Sequence, residues 1–178
     1  MTQIEIRPTL ETDIPNLEAI NHSNETNYVW QINRLIEGGQ ITLSFREVKL
    51  PRSVRIDYPR KPELVLEETR NQIVLLTALS NNNPVGYIRI AFGLIPNIPL
   101  ITDLAVSFME RRQGIASTLI LSAEEWLMKR DYQRIIIETY SKNYPAIAMV
   151  QKIGFEFSGY SDYYYANRDI ALFFAKSI

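Results

Sequence analysis

Apolar and polar residues alternate over Gln3–Arg7 (QIEIR), the period-two pattern of a half-buried strand. The period then changes. Ile14, Leu17 and Ile20 recur at helical spacing, Thr12 or Asp13 is placed to cap a helix, and Pro15 fits its first turn. A second helix is predicted over about Tyr28–Glu37, with Gly38-Gly39 as its stop signal. Across 40–61, Pro51 and Pro59, with Pro62 just beyond, argue against any long element. From Ile73 the pattern sharpens. IVLLTAL and VGYIRIAF read as strands joined by the turn residues Ser80–Pro84, and LITDLAV (Leu100–Val106) is a further strand. Gly114–Arg130 is a predicted helix with Ile115, Leu119, Ala123, Trp126 and Leu127 on its apolar stripe. RIIIETY (Arg134–Tyr140) has few polar positions and reads as a central strand. Pro145–Ile153 is a short helix closed by Gly154, and FEFSGYSDYYY with DIALFFAK reads as a closing antiparallel hairpin. This order predicts an α/β or α+β mixed sheet, with a right-handed parallel crossover between the strands near 100 and 140.

Bulk properties narrow the chemistry. A chain of 178 residues suits one domain, 1–178, with a full core. The formal net charge of −1 argues against general nucleic-acid binding. No apolar run is long enough to span a bilayer, and MTQIEIRPTL lacks the pattern of a signal peptide, so the expected location is the cytoplasm, away from membranes. With no cysteine and one histidine, His22, thiolate nucleophiles and zinc clusters are excluded. His22 itself reads as a solvated helix residue.

The stretch MERRQGIASTLI (109–120) puts two arginines, a glutamine and a glycine directly before a helix. The first N–H groups of a helix lack intrahelical partners and carry the positive end of the helix dipole, a ready phosphate site. Gly114 and Ala116 leave those groups accessible, and Arg111 and Arg112 add charge. Walker A and dinucleotide-fingerprint patterns are both absent. A plain helix start with two solvated arginines fits these residues equally well.

The context points further. Arg111-Arg112-Gln113-Gly114-Ile115-Ala116 resembles the [QR]-x-x-G-x-[GA] motif of the GNAT acetyltransferases. Upstream, Leu104-Ala105-Val106 resembles that family's L-A-V strand end. Downstream, Asn143-Tyr144-Pro145-Ala146 and Lys152-Ile153-Gly154-Phe155 resemble its N-x-x-A … K-x-G-F segment. The resemblance implies the GNAT acyl-CoA N-acyltransferase fold: a central, mixed, mostly antiparallel sheet flanked by helices and splayed between its fourth and fifth strands, here 100–106 and 134–140. It implies acetyl-CoA as cosubstrate. The pyrophosphate would lie on the N–H groups of Gln113, Gly114, Ile115, Ala116 and Ser117. The pantetheine arm would pair with the backbone of Leu104 and Val106, and Asn143 would contact it, unless Asn143 is simply a helix N-cap or serves as both.

Acetyl transfer to an amine needs a polarised carbonyl, a proton acceptor and a proton for the departing thiolate. A backbone N–H of Leu104 or Val106 is placed to polarise the carbonyl. Asp103 and Glu138 are the candidate proton acceptors; Asp103 reads first as a structural polar residue at a strand edge, and Glu138 in an apolar strand requires a partner, structural or a water relay. The family's usual tyrosine, four residues after the alanine of N-x-x-A, is here Val150. Tyr144 and the run Tyr163-Tyr164-Tyr165 are alternative donors or packing residues. For the acceptor amine, Glu25, Tyr28, Trp30 and Asp162 are candidates, with Tyr163 and Tyr164 lining a cleft.

Residues 43–58 (LSFREVKLPRSVRIDY) are similar to the streptothricin acetyltransferases, whereas the closing Y-Y … D-x-A pattern is similar to acetylases of protein N-termini. The expected acceptor is therefore a small-molecule amine, with a peptide amine as the alternative and a non-catalytic acyl-CoA-binding module as a third reading. Residues 46–61 carry six basic and two acidic side chains, which read as a solvated loop. The apolar strand Ile170–Ala175 is a candidate for pairing with a second copy in a homodimer.

Overall fold

The structure is a computed structural model that describes residues 4–60, 73–93 and 98–178. Gln3, Lys61 and Pro62, which entered the sequence reading, lie outside them. The described elements are β1 (Ile4–Pro8), α1 (Ile14–Glu18), β2 (Asn24–Glu37), β3 (Gln40–Ile56), β4 (Ile73–Ser80), β5 (Asn83–Phe92), β6 (Pro99–Val106), α2 (Ile115–Met128), β7 (Arg134–Tyr140), α3 (Tyr144–Lys152), β8 (Glu156–Ser161) and β9 (Ala171–Ser177). Seven strands form one sheet in the order β1-β4-β5-β6-β7-β9-β8. Every neighbouring pair is antiparallel except β6–β7, which is parallel, as the crossover through α2 requires.

The two faces of the sheet follow the alternation along the strands. Leu75, Tyr87 and Ala105 face α1 and pack with Leu17 and Ile20. Leu76, Ile88 and Val106 join the main core beneath α2, with Ile115, Leu119, Ala123 and Leu127 from its apolar stripe. Ile147 and Val150 of α3 are buried in the same core.

Two expectations fail in the first third. The predicted helix over Tyr28–Glu37 is instead strand β2, and 40–61 contains the long strand β3, with Pro51 inside it. Gly38 and Gly39, with φ of 55° and 81°, form the two-residue turn of a β-hairpin and are not a helix stop. Tyr28, Ile32, Leu35 and Ile36 fit a helical period, but buried Thr26 and half-buried Tyr28, Trp30 and Ile32 fall at every second position, broken only by half-buried Val29, and that period-two pattern is the one realised. Pro51 is tolerated because the two-stranded sheet leaves β3 an unpaired edge. The hairpin is anchored at its base, where Trp30 N–H donates to the Ser141 carbonyl (2.9 Å) and Phe45 packs on Phe157 and Tyr160.

The closing antiparallel hairpin forms as β8 and β9, but without the expected free edge. β9 pairs with β7 on one side and β8 on the other. The segment Ile170–Ala175 is therefore an interior strand and has no free edge for a second copy.

Asp13 ties β1 to the start of α1. Arg7 donates to both of its carboxylate oxygens (2.6 and 2.9 Å), and the Leu10 N–H adds a third bond (2.8 Å). The Arg7 guanidinium holds the Asp13 carboxyl below the usual carboxylate range. Asp13→Asn is expected to cost about 2 kcal/mol, or roughly 4–8 °C in melting temperature. The wild-type advantage is full above the unfolded pKa of about 3.9 and is lost as pH falls through the lower native value. Melting curves of both proteins from neutral to acid pH check this.

Candidate active site

β6 and β7 are hydrogen-bonded neighbours only at Leu100↔Ile136 and Ile101↔Ile137. Beyond these pairs the strands diverge, so the β7-facing side of β6 past Thr102 has no strand partner. By the two-residue period of a strand, Leu104 and Val106 turn their backbone toward one side. The Val106 carbonyl accepts from the Arg111 Nε at 2.9 Å.

The cleft opened by this splay is lined by Tyr58, Arg60, Thr102, Asp103, Leu104, Glu138, Tyr140, Asn143, Ala146 and Tyr165, among others. At its centre are two buried carboxylates joined by one guanidinium. Arg60 bonds to Asp103 (3.1 Å) and, by a shorter contact, to Glu138. Asp103 also accepts from Tyr58 and lies 3.6 Å from Arg89, whose Nη1 donates to Thr102 Oγ1. Asp103 thus faces two guanidiniums where Glu138 faces one, which suits the structural reading of Asp103. Glu138 accepts from Tyr164 (2.8 Å) through its other oxygen. Burial raises the Glu138 pKa above the ordinary carboxylate range, against the opposing pull of Arg60.

The partner that Glu138 required is therefore Arg60, which sequence reasoning missed together with Tyr58. The available signal was the pair of buried carboxylates itself, because two acids on facing strands need a cation. Arg60 also stacks over Tyr165, with 5.5 Å to the ring centroid.

The start of α2 lies next to the wide end of the splay. Gly114 is its N-cap in the left-handed region (φ 86°), and no side chain caps the helix. The first N–H groups of α2 are thus left for an outside acceptor. A Cβ built on Gly114 meets nothing within 4 Å, so the approach is open. An anionic diphosphate fits this uncapped turn. The two arginines divide. Arg111 spends its guanidinium on the carbonyls of Val106, Ser23 and Asn21, so it fastens the turn to the 21–23 segment instead of adding charge for a ligand. Arg112 is exposed, with φ of 64°.

Asn143 caps α3, its Oδ1 accepting from the Ala146 N–H at 3.3 Å, and it also lines the cleft. Tyr144 does not line it: its ring stacks on Tyr28 (5.1 Å between centroids) and its phenol faces Glu47. Glu25 is exposed on β2, and Tyr163 is exposed in the β8–β9 turn. His22 is no solvated helix residue; it lies after α1, bonded to the Tyr87 hydroxyl (2.8 Å) and packed on Tyr58.

A mixed sheet splayed beside an uncapped helix start is the arrangement that the motif resemblance implies for an acyl-CoA-dependent transferase. The sequence profile of the acetyltransferase (GNAT) family matches residues 42–155, and the chain belongs to that family. It is an acetyl-CoA-dependent N-acetyltransferase.

Among its relatives is an N-alpha-acetyltransferase of Saccharolobus solfataricus, 35% identical over 60% of this chain and 70% of that protein. A streptothricin acetyltransferase of Escherichia coli is 34% identical over 38% of this chain and 39% of that protein. The fold is that of a nourseothricin acetyltransferase crystal structure, with a TM-score of 0.82 at 20% identity over 99% of both chains. It is likewise that of a Bacillus anthracis protein, assigned as a streptothricin acetyltransferase and solved with acetyl coenzyme A, with a TM-score of 0.77 at 23% identity over 99% of this chain and 100% of that one. Among the described residues no helix is long and apolar enough to cross a membrane, and no cluster of metal-ligating side chains occurs.

Proposed function

We propose that this single-domain acetyltransferase acts on a small cationic amine of the streptothricin or nourseothricin kind. The observation that carries the reading is the composition of the cleft. Asp103 and Glu138 are both buried there and, with Tyr164 and Tyr165, already surround a cation, the Arg60 guanidinium. Arg60 and Arg89 balance the two carboxylates, so what the cleft offers an acceptor ammonium is the rings of Tyr164 and Tyr165 and the Glu138 oxygen shared with Tyr164. The full-length likeness to a nourseothricin acetyltransferase supports the same class.

In this reading the N–H groups of Gln113, Gly114, Ile115, Ala116 and Ser117 hold the diphosphate of acetyl-CoA. The backbone of Leu104 and the N–H of Val106 pair with the pantetheine arm beside Asn143, the Val106 carbonyl being held by Arg111. The Leu104 N–H polarises the thioester carbonyl. Glu138 takes the proton from the attacking amine, directly or through one water. Asp103 and Arg60 position Glu138, and neither touches the reacting atoms. Tyr28, Glu25 and Tyr163 line the outer approach, beside the Arg34–Asp162 ion pair (3.8 Å) that spans from the β2–β3 hairpin to the β8–β9 turn.

A second reading, acetylation of a protein N-terminus, is favoured by the Saccharolobus relative, whose identity of 35% extends over 118 residues. The same assay decides between them. Thermal unfolding is measured first, with and without acetyl-CoA. Ligand at ~100 times its dissociation constant adds ~2.7 kcal/mol, a rise on the order of 5–10 °C for a domain of this size. Release of free CoA thiol is then followed with streptothricin, nourseothricin and short peptides bearing free N-termini. The expected outcome is a kcat/KM at least about tenfold higher for the antibiotics, which corresponds to ~1.4 kcal/mol of transition-state preference. A preference for peptides transfers the assignment to the second reading. A thermal shift without turnover of any amine leaves an acyl-CoA-binding module.

A further inference from the structure

We infer that Tyr140, at the C-terminal end of β7, is the proton donor to the departing CoA thiolate. The inference rests on the acetyl-CoA reading above. Breaking the carbon–sulfur bond leaves its electron pair on sulfur, and the thiolate must then gain a proton. The position where the family resemblance places a tyrosine is Val150, which is fully buried in the core and has no proton to give.

Four phenols stand in or against the cleft, and their hydrogen bonds sort them. Tyr58 donates to Asp103. Tyr164 donates to Glu138 (2.8 Å), and Tyr165 is hydrogen-bonded to Glu138 as well. The protons of these three are committed to carboxylates. Tyr140 is the reverse case: its oxygen accepts from Asn24 Nδ2 at 3.1 Å.

The direction of that bond follows from its neighbours. The Asn143 Oδ1 accepts from the Ala146 N–H as the cap of α3, so the Asn24 atom 2.8 Å from that oxygen must be the amide nitrogen. The same nitrogen then donates its second hydrogen to Tyr140. With its oxygen serving as acceptor, the Tyr140 hydroxyl has its own hydrogen to direct elsewhere. Its ring lines the same cleft as Leu104, Asn143 and Ala146, on the path proposed for the thiol end of the pantetheine arm. Asn24 lies at the start of β2, so the hairpin absent from the sequence reading supplies the residue that orients this hydroxyl.

The step balances. The amine nitrogen bonds to the acetyl carbon as its proton passes to Glu138 and on to water. The carbon–sulfur bond breaks, sulfur takes the Tyr140 proton, and the phenolate regains one from solvent. Burial pushes the Tyr140 phenol up to about 12, which keeps it protonated, in the donor form, across neutral pH. The charged groups facing it are Arg111, Asp169 and Asp57. The neighbouring phenols Tyr58 and Tyr165 are pushed upward, out of that window.

The test needs no acceptor. Free CoA is titrated in complex with the wild-type protein and with Tyr140→Phe, following the ultraviolet absorbance of its thiolate from pH 6 to 10. A hydrogen bond to sulfur favours the thiolate, so the bound thiol titrates below its free value, near 8.5 for an ordinary thiol. Tyr140→Phe is expected to raise the bound value by about one unit or more, a tenfold loss of thiolate stabilisation. It should leave CoA affinity at pH 6 and the melting temperature near wild type, which a merely structural tyrosine would not. Asn24→Asp is the second variant: its carboxylate accepts a hydrogen bond from the Tyr140 hydroxyl and turns that hydrogen away from sulfur, and the bound thiol should again titrate higher. Unchanged thiol titration in either folded variant overturns the assignment of Tyr140. Failure of the wild-type protein to bind CoA overturns the cofactor reading itself, a separate and recognisable result.

Discussion

Gly114→Asp is expected to abolish the stabilisation by acetyl-CoA, whereas Gly114→Asn is expected to keep most of it. Gly114 stands at the start of α2 with φ of 86°, in the region where side chains other than those of Asn and Asp are strained. A Cβ there meets nothing within 4 Å, so neither variant suffers a steric clash. Asn and Asp bear this strain best, and both variants carry a similar share of it, roughly 1 kcal/mol. They differ in charge. A carboxylate about 4 Å from a diphosphate oxygen, at an effective dielectric near 20, is repelled by ~4 kcal/mol. The expected loss of affinity for Gly114→Asp is on the order of 100- to 1000-fold. Thermal shifts against acetyl-CoA concentration, each referred to the variant's own ligand-free melting temperature, measure it. An intact shift in Gly114→Asp would place the diphosphate elsewhere.

The second large effect is on the chemical step. Glu138→Gln should lower kcat by roughly 10²–10⁴-fold with the best amine of the panel, while acetyl-CoA binding stays intact. The pH dependence supplies an internal check. Only ionised Glu138 accepts a proton, so kcat/KM falls as pH drops through its pKa. Burial holds that pKa above the ordinary range, and the acid limb of the profile should lie above about 4.3. Arg60→Met removes the cation that opposes this rise, and the limb should move further up. In Glu138→Gln the limb should vanish. A variant profile superimposable on wild type would assign the base elsewhere.

Much of this site was legible from residues with a strong local signature. The Gly114 turn follows a strand and opens a helix with a full apolar stripe, and its motif neighbours stand at fixed separations. The splay itself is not written in β6 or β7. It emerges from the two-pair register at Leu100 and Ile101, a tertiary fact. The β2–β3 hairpin is hidden in the sequence because Tyr28, Ile32, Leu35 and Ile36 satisfy a helical period, whereas the Gly-Gly pair after Glu37 is the signal of its turn. Arg60 was invisible for another reason. It sits beside Pro59 in a stretch rich in basic residues, and only the fold shows that it leaves solvent to join Asp103 and Glu138. Arg111 was misjudged in the opposite direction, since its charge looked free and is spent on three carbonyls.

The place of β9 has a consequence for how this protein is made. A ribosome releases β8 before β9, yet β9 lies between β7 and β8 in the finished sheet. Until β9 emerges, β7 presents an open edge, with Ile135 and Ile137 facing a half-built core. β8 meanwhile has no partner at all. The nascent chain therefore stays sticky until β9 emerges, and β9 is the bolt that closes the sheet. Slow translation through β8, or crowding by neighbouring nascent copies, favours edge-to-edge association over insertion of β9. Soluble yield is then set by how fast β9 reaches its slot.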